Sequence, residues 1–71
     1  MVIDHVLNAM QSHYDAILDN FIEAQRTSEY KKLTDNPFYE EVKALLDAMN
    51  ILRKYLGWKT TTLKQEVEFY L

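Results

Sequence analysis

The sequence has no cysteine, one glycine and one proline among its 71 residues. Without cysteine the chain can form neither a disulfide nor a thiolate metal site. One glycine is too few for a glycine-rich loop that holds phosphate. No apolar run approaches the roughly 18 residues of a membrane-spanning helix, and the first residues lack the basic region of a signal peptide. We therefore expect a cytoplasmic protein without a membrane segment.

The composition predicts a folded chain that needs reinforcement. Hydrophobic residues make up 48% of the sequence and aromatic residues 13%, which is too much for a disordered segment. A single domain of this size buries only about 60% of the surface that its unfolded chain exposes, so its core is marginal. With no disulfide or thiolate-bound metal available, close helix packing and self-association are the remaining ways to stabilise it.

The segment Asn36–Gly57 carries the clearest helix signal. Asn36 is a favourable N-cap, and Pro37 suits the first helical position. Gly57 stands where a left-handed C-terminal cap is expected. Between them, apolar residues recur at alternating steps of four and three and form one stripe: Phe38, Val42, Leu45, Met49, Leu52 and Leu56. The pattern predicts a helix over about residues 37–56.

This helix is apolar on more than one side. Leu46 flanks the stripe on one side, and Ile51 and Tyr55 flank it on the other. So wide an apolar surface needs more than one packing neighbour, which can come from the C-terminal segment, a second copy of the chain or another protein. We predict a dimer, and the predicted interface residues for a second copy or a partner are Leu46, Ile51, Tyr55 and Trp58.

A first helix is predicted over about residues 2–32. Its apolar residues keep the four-three spacing over three heptads: Ile3, Leu7, Met10, Tyr14, Ile17, Phe21 and Ala24, with Val6 and Leu18 broadening the face. The polar cluster Thr34–Pro37 is the clearest turn. Two such helices joined by a short turn form an antiparallel hairpin by default.

The C-terminal segment fits a helix better than a strand. Thr62 and Gln65 match a capping box, and Leu63, Val67 and Tyr70 then share one helical face. The alternation of Val67, Phe69 and Leu71 also suits a strand, but a lone strand has no partner within this chain. The predicted architecture is all-α, with a helical hairpin and a short third helix over about residues 62–71, completed by self-association.

No set of reactive side chains points to catalysis. His5 and His13 lie on the polar side of the first helix, and neither belongs to the Glu-x-x-His or His-Glu-x-x-His patterns of metal sites. The acids Glu40 and Glu41 suit a helix start, where the macrodipole favours negative charge. We expect a protein that is not an enzyme, with no catalytic residues, cofactor or metal.

The segment Leu56–Val67 resembles the turn and second helix of a helix-turn-helix DNA-binding motif. The resemblance rests on the run Leu56-Gly57-Trp58-Lys59-Thr60-Thr61-Thr62-Leu63, followed by Val67. It implies that the groove-facing start of a recognition helix carries Lys59, Thr60, Thr61, Lys64 and Gln65. Arg53, before the turn, adds a base to this set of predicted nucleic-acid contacts. Residues 51–65 contain no acid, although the net charge of the whole chain is −3 and opposes DNA approach.

Trp58, the only tryptophan, has two alternative placements. In the preferred one it packs back on the hairpin as a lid over the core. In the other it is exposed beside Tyr55, where the two aromatic side chains would anchor a protein partner. Together the patterns favour a small protein-binding module, acting as a regulator, inhibitor or adaptor. A helix-turn-helix regulator of transcription that uses residues 53–67 is the alternative.

Overall fold

The computed structural model describes residues 2–28 and 30–70. The described residues contain no strand, so the all-α prediction is confirmed and the C-terminal segment is a helix. Glu29 and Leu71, which the predicted helix ranges include, lie outside the described residues. The elements in chain order are helix α1 (Val2–Thr27), a 3₁₀ helix (Leu33–Asp35), helix α2 (Tyr39–Tyr55) and helix α3 (Leu63–Glu68). None of the described helices combines the length and apolar character that a membrane crossing requires.

Helices α1 and α2 form the predicted antiparallel hairpin. At one end, Asn36 before α2 bonds to Phe21 in the second half of α1. Towards the other end, Arg53 in the last turn of α2 donates to Gln11 in the first half of α1. The hairpin therefore has a turn end, at residues 28 and 30–38, and a free end, where the start of α1 and the end of α2 lie.

Helix α1 ends at Thr27, five residues before the predicted end at residue 32. The heptad pattern stops at Ala24, so residues beyond it have no core contact to keep them helical. The Thr27 hydroxyl donates to the Glu23 carbonyl at 2.8 Å, and Gln25 Nε2 donates to the Tyr30 carbonyl at 3.1 Å. These local bonds satisfy backbone carbonyls where the helix ends and the turn begins.

Asn36 has a different role from the predicted helix cap. Helix α2 begins three residues later, with Phe38 in the N-cap position and no side-chain cap. Asn36 is instead the one buried polar residue of the described chain, only 3% exposed. Its Nδ2 donates to Phe21 O (2.9 Å) and Gln25 Oε1 (3.1 Å), and its Oδ1 accepts the Phe38 amide (3.0 Å). This side chain therefore holds the turn against α1.

The core lies between the two long helices and is closed on one side by α3. Most of the predicted α1 stripe is buried or half-buried, although Val6 is exposed and Ile22, which the pattern missed, is buried. All the predicted stripe residues of α2 face the core. The buried apolar residues are Leu7, Tyr14, Leu18, Phe21, Ile22, Val42, Leu46, Met49, Leu63 and Val67.

The start of α3 confirms the predicted capping box. Gln65 N donates to Thr62 Oγ1 (3.2 Å), and Thr62 N donates to Gln65 Oε1 (2.9 Å). Leu63 and Val67 are buried as predicted, but Tyr70 is half-exposed and follows the helix end. Its carbonyl accepts a bond from Arg26 near the end of α1. Thus α3 lies along the hairpin and returns the chain towards the turn end.

The Tyr14 phenol is buried on the side of the hairpin that α3 covers. Its hydroxyl makes no hydrogen bond of ordinary geometry among the described residues, and it lies close to the Glu66 carboxylate of α3. Burial raises the pKa of Tyr14 well above that of a free tyrosine, and the negative charge of Glu66 in α3 raises it further. The folded protein therefore keeps this phenol protonated at pH values where a solvated tyrosine ionises.

Replacing Asn36 by Ala should lower the free energy of unfolding by about 1–3 kcal/mol, because the Phe21 carbonyl and the Phe38 amide each lose a hydrogen bond at the turn. Urea denaturation followed by circular dichroism measures the change. The control is Asn8→Ala, since Asn8 is exposed on α1. That substitution should change stability by no more than about 0.5 kcal/mol. Equal losses for the two variants would show that Asn36 does not hold the turn.

Stability should fall as the pH rises above about 10, the ordinary tyrosine pKa. In this range the unfolded chain releases the Tyr14 proton while the folded chain retains it, so unfolding becomes easier by at most about 1.4 kcal/mol per pH unit. Tyr14→Phe should flatten this decline, and the exposed control Tyr55→Phe should leave it unchanged. Denaturation midpoints between pH 9 and 12 measure both. Parallel pH profiles for the wild type and Tyr14→Phe would contradict the pKa assignment.

Candidate interaction surface

The end of α2 is fixed by a Schellman cap. Gly57 has the positive φ of +77° that the predicted C-terminal cap requires. Its amide donates to the Lys54 carbonyl (3.1 Å), and the Trp58 amide donates to the Arg53 carbonyl (2.7 Å). The two bonds hold the backbone of Trp58 against the last turn of the helix. The prediction of a left-handed cap at Gly57 is confirmed.

Large apolar side chains are exposed around this cap. Ile51 and Tyr55 lie one helical turn apart, and they are 70% and 75% exposed. Trp58 is 53% exposed, so its predicted packing as a core lid is wrong. Leu63 and Val67 cover the core instead, because hydrogen bonds from Asn50 to the Thr61 backbone hold the chain after Gly57 against α2. We call Ile51, Tyr55 and Trp58 the end cluster.

Asn50 of α2 makes the hydrogen bonds that hold the segment before α3 against α2. Its Nδ2 donates to the Thr61 carbonyl at 2.6 Å, and its Oδ1 accepts the Thr61 amide at 3.3 Å. Arg53 extends this network, since its guanidinium donates to Asn50 Oδ1 (3.1 Å) and to Gln11 Oε1 (3.0 Å). The network joins α1, α2 and the segment before α3. No pattern in the sequence marks Asn50 or its partner Thr61, because the two lie eleven residues apart on different elements.

Leu46, the fourth predicted interface residue, lies inside the chain's own core. It is 1% exposed, because α3 packs over it. With Leu63 it lines a surface groove of about 380 Å³ between α2 and the segment Thr60–Leu63. Leu46 is therefore covered by its own chain and not available to a second one. Ile51, Tyr55 and Trp58 remain on the surface.

The residues predicted to contact nucleic acid do not share one helix. Lys59, Thr60 and Thr61 lie in the extended segment before α3, which begins at Leu63 and has six residues. The recognition helix implied by the resemblance therefore does not include them. Lys64 and Gln65 lie exposed in the first turn of α3, where the Gln65 side chain belongs to the capping box. Arg53 is half-buried in the Asn50 network.

The opposite side of the hairpin carries a different contact. His13 Nε2 lies 3.9 Å from Glu41 Oε1, and both side chains are more than half exposed. Gln11 and His13 are two residues apart in α1, and Glu41 and Asn50 are nine residues apart in α2. At about 3.6 residues per turn, the two members of each pair lie on roughly opposite sides of their helix. The Gln11 and Asn50 side is the one that α3 covers. The His13 and Glu41 side is uncovered by the described chain.

The described residues contain no group of three or more His, Cys, Asp or Glu side chains placed to hold a metal ion. His5 and His13 are both exposed. Lys43 and Asp47 form an exposed ion pair at 2.6 Å, and this hydrogen bond raises the pKa of Lys43. Oppositely charged side chains one helical turn apart stabilise a helix, so this pair does not indicate a functional site.

No protein-family model, curated protein or solved structure gives a significant match to this chain.

Replacing Asn50 by Ala should free the segment before α3 from α2, because both of its bonds to the Thr61 backbone are lost. We expect the free energy of unfolding to fall by about 1–3 kcal/mol and the Thr61 amide to exchange faster with solvent. Denaturation and hydrogen exchange measure the two effects. Lys54→Ala is the control, since Lys54 is exposed on the same helix. Unchanged exchange at Thr61 in Asn50→Ala would contradict the role of Asn50.

Proposed function

We propose that the chain is a small non-enzymatic protein-binding module, acting as a regulator, inhibitor or adaptor through its helical surfaces. The observation that carries the proposal is the end cluster. Ile51, Tyr55 and Trp58 are each more than half exposed, while the neighbouring apolar residues of α2 are packed in the core. Tryptophan and tyrosine are enriched among the residues that dominate protein interfaces.

The charge around the end cluster indicates what kind of protein it suits. Lys54 and Lys59 are exposed beside it, and residues 51–65 carry no acid. Lysine rims around an aromatic centre favour partners with complementary negative charge. The partner's chemistry is then an apolar patch bordered by acidic side chains.

The placement of the basic residues gives less support to the alternative of a DNA-binding regulator. A recognition helix needs several side chains that reach the base edges together. Of the six predicted contacts, only Lys64 and Gln65 lie on α3, and Arg53 bonds within the protein. The acidic first 50 residues add a repulsive field near duplexes.

Affinity capture from native lysate, with and without nuclease, separates these functions. We expect capture of a protein that resists nuclease and weakens by roughly thirtyfold in Trp58→Ser, as for an interface residue that contributes 2 kcal/mol. Phe69→Ser is the matched control, because Phe69 is an exposed aromatic residue outside the end cluster. It should leave capture unchanged.

The contrary result is retention of duplex DNA at ~50 mM salt, where phosphate contacts are strong. If Lys59→Ala and Lys64→Ala each weaken that retention and reduce its salt dependence by about one unit, the chain binds nucleic acid. The protein-binding proposal would then be rejected. Circular dichroism should show that all variants keep the wild-type helix content, so that a loss of binding is not a loss of fold.

A further inference from the structure

The uncovered side of the hairpin is a continuous surface that is almost free of charge. We call it the open side, and it consists of one stripe from each long helix. The α1 stripe is Val2, Val6, Ala9, His13, Ala16 and Asn20, and the α2 stripe is Glu41, Ala44, Ala48, Ile51 and Tyr55. Ala48 is half-buried and the others are exposed. The contact between His13 and Glu41 shows that the two stripes lie on the same side of the hairpin.

The spacing of the two stripes is that of a packing face. Steps of four and three separate successive residues in both, which is the repeat by which helices pack along their length. The alanines leave room for another helix to approach closely, and Val6, Ile51 and Tyr55 supply larger apolar contacts. Solvent-facing sides of helices normally carry charged residues instead.

We propose that the open side binds a second copy of this chain in antiparallel orientation, giving a helical bundle in which each hairpin covers the other. The inference rests on the proposed protein-binding function, because Ile51 and Tyr55 belong to both surfaces. Trp58 follows the helix end and lies outside both stripes. It therefore provides a separate test of the proposed function.

The charges of the open side suit a second copy. In a two-fold dimer the same surface occurs on both partners, so a net charge of one sign would repel itself. Glu41 is the only acid among the residues of the open side, and its Oε1 lies 3.9 Å from His13 Nε2, so this surface has little charge with which to repel a second copy. An acidic or basic foreign partner would find no complementary charge there.

The charges at the two ends of the hairpin favour the antiparallel orientation. In the half of the hairpin towards the free end, residues 2–18 and 42–60 hold four bases against three acids: Lys43, Arg53, Lys54, Lys59, Asp4, Asp15 and Asp47. In the half towards the turn end, residues 19–28 and 30–41 hold three bases against five acids: Arg26, Lys31, Lys32, Asp19, Glu23, Asp35, Glu40 and Glu41. An antiparallel dimer places each basic end beside an acidic end, whereas a parallel dimer places like charges together.

The size of the molecule is sufficient for such an interface. Its Cα atoms extend over 42 × 19 × 17 Å, so a long side has room for the roughly 800 Å² per partner that stable interfaces bury. Helix α1, with 26 residues, runs along most of this length. The packing repeat continues along α1 from Val2 to Asn20.

Sedimentation velocity at micromolar concentration tests the proposal, and the wild type should sediment at twice the chain mass of 8.5 kDa. Ala9→Glu and Ala44→Glu should each weaken the dimer at least tenfold, because a glutamate would be buried without a partner. Asn8→Glu is the matched control. It adds the same charge one residue from Ala9, on the outward side of α1, and should leave the dimer intact.

The orientation is measured on the same protein. Because the chain has no cysteine, a single spin label can be attached at the free end through His5→Cys, since His5 is exposed near the start of α1 and lies outside the stripe. An antiparallel dimer should give a label separation comparable with the 42 Å length of the molecule, whereas a parallel dimer brings the labels together.

Each of three results overturns the inference: a wild-type monomer, an unchanged dimer in both alanine variants with wild-type helix content, or a short separation between labels. None of these results decides the proposed function, which Trp58→Ser tests by partner capture. A monomer that still loses its partner in Trp58→Ser would remove the dimer and leave the protein-binding module. A dimer that captures no other protein would leave the dimer and remove the protein-binding module.

Discussion

The path of the chain after α2 depends on the two hydrogen bonds between Asn50 and the Thr61 backbone. The Schellman cap at Gly57 ends the helix, but a cap alone leaves the following residues free to cross either side of the hairpin. Asn50 and Arg53 point to one side, so the chain is bound there and α3 places Leu63 and Val67 over Leu46. The other side receives no covering element within the described residues. The Asn50 bonds and the burial of Leu63 and Val67 thus hold α3 on one side of the hairpin.

The character of each side of the hairpin depends on which side α3 covers. The covered side has the buried Tyr14 phenol and a polar network that joins three parts of the chain. The uncovered side has apolar and small residues in two parallel stripes. The end cluster lies at the free end, where α2 stops and its apolar pattern continues without a neighbour. A short third helix therefore leaves an apolar surface that no described residue covers, and this surface is the physical basis of the proposed binding function.

The regular parts of this fold could be predicted from the sequence because local patterns determine them. The heptad spacing gave both long helices, the glycine after Leu56 gave the left-handed cap, and Thr62 with Gln65 gave the start of α3. The end of α1 was placed five residues too late, because the polar residues after Ala24 are compatible with either helix or turn.

The surface was harder to predict, because it depends on contacts distant in the sequence. Asn36 and Asn50 look like ordinary cap and surface residues, and only the tertiary structure shows their partners. Trp58 was assigned to the core since a tryptophan after a helix cap can fold back, but the Asn50 bonds send the chain elsewhere. Leu46 and Ile51 flank the same stripe. Only the position of α3 shows which one is covered, and whether Ile51 contacts a partner remains a prediction.

The central claim, that the open side is a binding surface, can be tested most directly through its alanines. All five alanines of the chain lie on the two long helices, and the open side includes Ala16 together with Ala9, Ala44 and Ala48. Alanine methyl groups labelled with ¹³C can be observed by NMR in the presence of a soluble paramagnetic agent, at low and at high protein concentration. Dimerisation through the open side should protect the methyl groups of Ala9, Ala44 and Ala48 from the agent as concentration rises. Full relaxation of all three at every concentration would contradict it.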